Sequence, residues 1–389
     1  MSIECDVLVV GAGPAGSSAA RAAAKKGLKT ILIEEHKEIG SPVQCAEGIG
    51  KYLFPYIPFK IPKEQLKWKI NGMYFWANNL AIIKEGGVWQ GYSINREKWD
   101  RWLASLAIKE GVEILTDTKF ESVDYTKSKT IVTAYSKNKK IIFKPKYIIG
   151  ADGVDSSVID QVDSKNELSV AHIKSYEMYN VKLKYPRYEQ LFFGNFAPGA
   201  YAYIFPKSKT KANIGVGTLF NKKELDGLFE KFTNLPIVKK QISSAKIINE
   251  KSGSAPIKDL SEKIFYKNIF LVGDAANQNI KPFVEGNIPG VICGDILGGF
   301  IHDIINKGEN PANYERLIEK KFNIIAESQI YADILYKENQ IDNDLFSLIL
   351  VGLMSEIIHP DLNKIEQIAE KGSEFLREYI RKHGGFFER

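Results

Sequence analysis

Three glycines at the start of the chain are the first residues whose spacing suggests chemistry. Gly11, Gly13 and Gly16 form G-x-G-x-x-G, with Pro14 and Ala15 inside it, between the apolar run CDVLVV and the helical run SSAARAAAKKG. The first glycine permits a tight turn, the second lets a pyrophosphate approach the backbone, and the third lets helix and strand pack closely. Phosphates would then rest on the helix N-terminus, where free N–H groups and the helix dipole favour negative charge. Glu34 ends the next apolar run about 20 residues on, where a carboxylate can accept hydrogen bonds from ribose hydroxyls. This is the chemistry of dinucleotide binding, and NAD and FAD both fit it.

A thiol and a carboxylate follow in SPVQCAEGIG, where Cys45 and Glu47 stand beside Ala46 and Gly48. Why a nucleotide-binding chain would place a thiol there is not answered by these residues alone. A thiol can simply pack, because free cysteine is among the most buried residue types. Asp152 and Asp274 each follow a buried run, in IIGADG and LVGDAA. Beyond Asp274, Pro289 suits the first turn of a helix, and Gly290, Gly294 and Gly298 make a smooth stripe for close packing. Such a helix would aim its positive end at whatever lies over Gly286 and Asn287. A third group is aromatic. FFGNFAPGAYAYIFP holds Phe192, Phe193, Phe196, Tyr201, Tyr203 and Phe205, and strand alternation puts Tyr201, Tyr203 and Phe205 on one face. No CxxC, HExxH or clustered-histidine spacing occurs, so no protein-bound metal is expected.

The elements that must position these groups read as an α/β fold. Residues 5–33 form a βαβ unit of the Rossmann type. Asn95 to Gly111 is an amphipathic helix with Arg96 at its start, and Phe120 closes a strand soon after it. From about 165 to 260, strands alternate with turns as in an antiparallel sheet inserted to cover a substrate. NIFLVGDAAN resumes the first fold, and from 311 the pattern is helical. The expected organisation is a nucleotide-binding domain over 1–164 and 261–310, an antiparallel-sheet substrate domain over 165–260, and a C-terminal helical region over 311–389.

The 389 residues are 44% hydrophobic and 26% charged, which supports a large core and excludes a disordered chain. A net charge of +6 without a basic-aromatic cluster argues against nucleic acid. It fits a lysine-rich surface, or a face toward anionic lipid or an acidic electron-transfer partner. Cys5, Cys45 and Cys293 are scattered and odd in number, which points to a reducing, intracellular compartment. MSIECDVLVVGAG reads as a strand and not as a secretion leader. LFSLILVGLM is about half the ~20 residues a membrane span needs, and core is the expected role. A cytoplasmic protein, peripheral at most to the inner face of the cell membrane, is expected.

Taken in order, GxGxxG, GADG and GDAA resemble the FAD-dependent monooxygenase-like superfamily. The resemblance implies FAD, with Asp274 on the ribityl chain, Arg96 in contact with the flavin, Phe120 by the adenine, and Gly286 and Asn287 under the pyrimidine ring. Within that superfamily, PVQCAEG resembles the P-V-x-C-x-E-G segment of the archaeal and plant geranylgeranyl reductase family. PGAYAYIFP is similar to that family's P-x-x-Y-x-W-x-F-P, matching at Pro198, Tyr201, Phe205 and Pro206, with Tyr203 in place of tryptophan. Two departures stand out. The family's P-x-T-G-G-G or P-x-T-G-E-G loop is here PFVEGN, with bulkier Phe283 and Val284, and with Asn287 where an aliphatic residue is usual. Ile159 replaces an arginine common after GADG.

The resemblance implies reduction of the isoprenoid double bonds of geranylgeranyl chains on archaeal ether-lipid precursors. An isolated alkene is not polarised by a carbonyl, so a hydride from flavin needs a proton delivered to the other carbon. Charge developing on a tertiary carbon favours a dry site walled by aromatic faces. On this reading Phe192, Tyr201, Tyr203, Phe205 and Phe283 line a prenyl tunnel, and Cys45, Glu47, Tyr201 and Tyr203 serve catalysis. The electron donor is expected to be a ferredoxin-like carrier or NAD(P)H. Rival readings are a reductase of prenyl quinones or prenyl diphosphates, an FAD monooxygenase, and a non-catalytic flavin- or lipid-binding protein.

Overall fold

The apolar run at the N-terminus becomes the centre of a parallel sheet. Ser2–Val10 pairs in parallel with Thr30–Ile33 on one side and with Lys139–Gly150 on the other. Glu113–Leu115 and Ile269–Leu271 extend the sheet in parallel. Val7, Leu8, Val9, Leu32 and Ile149 are completely buried, as strands covered on both faces require. The chain first builds to one side of Ser2–Val10 and later to the other. The ligand crevice of such a sheet therefore lies just past Val10 and Gly150. This computed structural model describes residues 2–126, 129–163, 169–257, 263–331 and 343–388.

Helix Pro14–Lys25 covers one face, and helix Asn287–Lys307 packs directly on it. The glycine stripe makes this approach possible. A Cβ at Gly294 would lie 2.3 Å from the Ala15 carbonyl oxygen, and one at Gly298 would lie 2.2 Å from that of Ala19. Ser18 Oγ donates to the Val291 carbonyl at 2.7 Å, and Arg21 pairs with Asp295 at 2.9 Å. Among the described residues, Asn287–Lys307 is the one helix long and apolar enough to cross a membrane, but most of it is buried in this packing.

A second sheet has eight strands in the order Lys246–Pro256, Val170–Tyr179, Lys211–Thr218, Ala202–Pro206, Tyr188–Phe193, Gly72–Ala77, Leu80–Glu85 and Phe386–Phe387. It extends well beyond the 165–260 stretch expected to make it. One pairing is parallel rather than antiparallel, that of Tyr188–Phe193 with Gly72–Ala77. GMYFWA is an apolar run buried on both faces, and it pairs along both edges, with Tyr188–Phe193 on one and Leu80–Glu85 on the other.

The two faces of this sheet carry different cores. Phe75, Leu191, Phe193 and Tyr203 face helix Asn343–Met354, whose Phe346, Leu348, Ile349, Leu350, Val351, Leu353 and Met354 are all buried. LFSLILVGLM is therefore core, at roughly 1.5–3 kcal/mol of stabilisation for each large apolar side chain buried. Tyr74, Trp76, Phe192, Ala202 and Ile204 face the other way, against Leu225, Leu228 and Phe232 of helix Leu225–Thr233. A small three-stranded sheet of Gly48–Gly50, Gly91–Ser93 and Trp68–Ile70 begins where the Cys45 segment ends.

Candidate active site

A single cavity of about 910 Å³ runs from the glycine turn, along the aromatic face of the second sheet, to the C-terminal helices. At its nucleotide end Gly11, Gly13, Pro14, Ala15, Glu34 and Phe120 all line the wall. Glu34 accepts from the Ala12 N–H at 2.8 Å and the His36 N–H at 2.9 Å, which holds its carboxylate at the crevice. A Cβ at Gly13 would meet nothing within 4 Å, so bare backbone faces open space there. Gly16 does not line the cavity: a Cβ on it would lie 1.9 Å from the Gly11 oxygen, so its role is packing. Asp152, in the GADG turn, accepts from Ser156 Oγ at 2.6 Å and the Val158 N–H at 3.1 Å, tying that turn together.

Farther in, Asp274 and Gly286 touch, since a Cβ at Gly286 would lie 2.7 Å from Asp274 Oδ1. Burial raises the Asp274 carboxyl above its ordinary value, and Arg96 and Lys281 offset this only in part. Asn287 opens the long helix, and both its amide oxygen and its amide nitrogen are buried with no hydrogen-bond partner among the described residues. A buried amide left unpaired costs about 1–3 kcal/mol, so one aimed into a cavity is waiting for a ligand. This orphan amide, the bare turn at Gly13 and the carboxylate at Glu34 form a set that fits FAD.

The Cys45 segment crosses the middle of the cavity. Cys45, Ala46, Glu47 and Gly48 line it, as does Arg96. The Arg96 guanidinium is clamped by Asp100 at 2.9 and 3.1 Å and reaches the Cys45 sulfur. Burial works against its charge, and Asp100 more than restores it. The sulfur also accepts from the Glu47 N–H at 3.2 Å, and Asn213 Nδ2 donates to the Cys45 carbonyl at 3.1 Å.

Glu47 adopts a φ of 70°, a left-handed conformation that costs a non-glycine residue on the order of 1–3 kcal/mol. Its partners hold it there. Its carbonyl accepts from Ile94 N–H at 2.9 Å, its Oε1 accepts from Arg96 N–H at 3.0 Å, and its Oε2 takes Lys207 and Lys251, both at 2.6 Å. Lys207 also bonds Glu177 at 2.7 Å. Sequence reasoning missed Lys207, Lys251 and Glu177. Isolated charges on two strands and the turn after Ala202–Pro206 give no spacing signal, and only the fold brings them under the Cys45 segment.

Two more missed carboxyls face the cavity. Glu285, in the atypical PFVEGN loop, accepts from the Gly50 N–H at 2.7 Å and from the Tyr52 hydroxyl at 3.0 Å, clamping the loop onto the strand after Cys45. The preceding Val284 sits at φ 56°, strained for a β-branched residue. Glu189 lies in strand Tyr188–Phe193 beneath Gly48. Burial, and then the nearby Glu285, push its carboxyl up to about 8.

The aromatic wall follows strand parity. Tyr201, Tyr203, Phe205 and Phe283 all line the cavity. Tyr201 donates its hydroxyl to the Phe283 carbonyl at 2.8 Å, and Phe283 lies among Phe75 and Trp89. The Tyr203 hydroxyl reaches Ser175. Burial raises both phenols, which stay protonated. Phe192 is not part of the wall. It pairs with Ala202 on the opposite face, among Tyr74, Trp76 and Phe232, and the aromatic on the cavity side of that strand is Phe193. Parity that places Tyr203 inward places Leu191 inward and Phe192 outward.

Comparison with known proteins agrees with this geometry. Residues 6–154 match the FAD dependent oxidoreductase family, and residues 170–254 match the geranylgeranyl reductase catalytic domain. The digeranylgeranylglycerophospholipid reductase of Methanococcus aeolicus is 32% identical, covering 97% of each chain. This chain belongs to the geranylgeranyl reductase family. The enzyme of the same name from Methanocaldococcus jannaschii is 33% identical over 88% of this chain and 89% of its own. A crystal structure of a geranylgeranyl bacteriochlorophyll reductase-like protein from Thermoplasma acidophilum superposes with a TM-score of 0.81 at 27% identity, covering 98% of this chain and all of that one. The myxobacterial FAD-dependent halogenase, at 14% identity, shares the fold, with a TM-score of 0.71. As a member of the geranylgeranyl reductase family, the protein is a flavin-dependent oxidoreductase with FAD as its cofactor.

Proposed function

We propose that this protein saturates isolated C=C bonds of geranylgeranyl chains on archaeal membrane ether-lipid precursors. The observation that carries the reading is the continuity of one cavity from the FAD cradle to the wall of Tyr201, Tyr203, Phe205 and Phe283. The names of the archaeal relatives, digeranylgeranylglycerophospholipid reductases, supply the substrate class.

FAD, when bound and reduced, would supply the hydride. The chain's own residues do the rest. Gly11, Gly13, Pro14, Ala15, Glu34 and Phe120 would hold the nucleotide, and Arg96, Asp274, Gly286 and Asn287 would hold the flavin end. The aromatic wall and the buried side chains of helix Asn343–Met354 exclude water from the prenyl chain, and ring faces stabilise positive charge on the alkene. Cys45, Ala46 and Gly48 present bare or small atoms to the ring, with Cys45 positioned by Arg96 and by the braced Glu47.

Electrons arrive from a ferredoxin-like carrier or from NAD(P)H. The enzyme works in the cytoplasm, peripheral to the inner membrane face. Exposed Phe375, Phe386 and Phe387 support membrane contact, with Lys371 over Phe375 and Arg381 over Phe387. Such basic-aromatic surfaces suit anionic headgroups.

The test is anaerobic. The purified holoprotein is reduced, a geranylgeranyl lipid is added, and flavin reoxidation is followed with mass spectrometry of the lipid. Reoxidation with a gain of about two mass units per bond, one hydride and one proton, is the expected result. A flavin that stays reduced beside the lipid overturns the reading.

A further inference from the structure

We infer that Glu189 is the acid that delivers the proton to the alkene, an inference that rests on the function proposed above. The alkene needs a donor inside the dry cavity, and the groups that line it differ in whether a proton is available. Tyr201 gives its hydroxyl proton to the Phe283 carbonyl, and the Tyr203 hydroxyl is engaged with Ser175. The Cys45 sulfur serves as an acceptor, from the Glu47 N–H and from Arg96. Glu47 is an ionised carboxylate bound by two ammonium groups. Glu285 is held by Gly50 and Tyr52.

Glu189 is different. Among the described residues no hydrogen bond reaches its carboxyl, and it lines the same cavity. Its oxygen lies against Gly48, where a Cβ would be 2.5 Å from Glu189 Oε1 and 3.3 Å from Phe205 Cε2. The acid therefore sits between the Cys45 segment, at the flavin end, and the aromatic wall, at the substrate end. Strand parity points it inward with Leu191 and Phe193.

The electrostatics agree. The titratable groups around this part of the cavity are Glu285 with Tyr52, Tyr201, Tyr203 and Cys45. The nearby cations Lys207 and Lys251 are spent on Glu47 and Glu177, and Arg96 is spent on Asp100. Among the described residues no cation acts on the Glu189 carboxyl; burial, and then Glu285, push it up to about 8, so that it carries its proton at neutral pH.

In the step itself the Glu189 O–H bond breaks and a C–H bond forms at one alkene carbon, using the π electron pair. The hydride that reduced FAD supplies completes the C–H bond at the other carbon. Glu189 is left as a carboxylate and regains its proton from solvent as product leaves.

Two readouts test this. Infrared difference spectra of the oxidised holoprotein, wild type minus Glu189→Gln, should show a protonated carboxyl band at neutral pH that titrates away near 8. In single-turnover reoxidation by geranylgeranyl lipid, Glu189→Gln should be slowed roughly 100-fold or more, the usual weight of a general acid. FAD retention and circular dichroism should be unchanged, and Glu189→Asp should recover part of the rate. An absent band at neutral pH, or a Gln variant within about threefold of wild type where general acids are worth far more, overturns the inference while leaving the proposed function standing. A wild-type protein that does not reduce the lipid removes the proposed function, and this inference with it.

Discussion

The Oε2 atom of Glu47 lies 2.6 Å from the Nζ of Lys251, with both side chains almost sealed from solvent. Lys207 reaches the same oxygen at 2.6 Å. This cluster fastens the Cys45 segment to two strands of the second sheet and holds Glu47 in its left-handed conformation. Glu47→Gln should destabilise the protein by about 3 kcal/mol, the low end for stranding a buried charge. The low end applies because Glu177 remains 2.7 Å from Lys207 and 3.7 Å from Lys251. Urea denaturation of the apoprotein checks this, and an unchanged midpoint would show that the cluster contributes no net stability.

The same cluster sets an acid limit. Burial alone would raise the Glu177 carboxyl, but Lys207 and Lys211 outweigh it and hold it at about 2, below its ordinary 4.5. Glu47 is likewise lowered, its two lysines overcoming burial. A folded-state value below the unfolded one means stability that is complete above the ordinary value and lost as pH falls through the folded one. Stability should therefore decline between 4.5 and about 2. Urea midpoints taken at about pH 6, 4 and 3 should fall in that order, with a shallower fall in Glu177→Gln.

Asn287 predicts opposite effects on apoprotein and holoprotein. Replacing a buried unpaired amide by a side chain of similar shape removes a desolvation penalty of about 1–3 kcal/mol. Asn287→Leu should therefore raise the thermal midpoint of the apoprotein. FAD affinity should weaken about tenfold, the equivalent of one lost hydrogen bond of ~1.4 kcal/mol. Flavin titration with apoprotein calorimetry would separate the two, and a Leu variant with unchanged FAD affinity would release the amide from any cofactor role.

Cys45 should matter to rate more than to binding. Cys45→Ala and Cys45→Ser should keep FAD yet slow reoxidation by prenyl lipid at least about tenfold, a barrier change of ~1.4 kcal/mol beside the reacting centre. Equal turnover in wild type and both variants would leave the thiol with packing alone.

Much of this was legible in the chain because it is local. GxGxxG, Glu34 and the Gly290–Gly294–Gly298 stripe each state a backbone requirement within one or two elements, and the structure uses them at that scale. Parity along a single strand likewise put Tyr201, Tyr203 and Phe205 together. The same rule carried one strand back would have turned Phe192 away from that face, since the two strands pair Phe192 with Ala202.

What the linear order could not reveal is which distant charges meet. Lys207 and Lys251 converge on Glu47, and Glu285 clamps Gly50, because loops and strands from separate parts of the chain meet in the fold. The contribution of Gly72–Ala77 to the second sheet is of the same kind, a parallel pairing across more than a hundred residues. Local sequence determined the nucleotide unit, the aromatic face and the core helix Asn343–Met354, since backbone geometry and hydrophobic period act over a few residues. Tertiary structure alone decided the ionic brace, and left the amide of Asn287 and the acid of Glu189 without hydrogen-bond partners among the described residues. Whether a polar group finds a partner depends on its neighbours in space, and neither spacing nor composition encodes those.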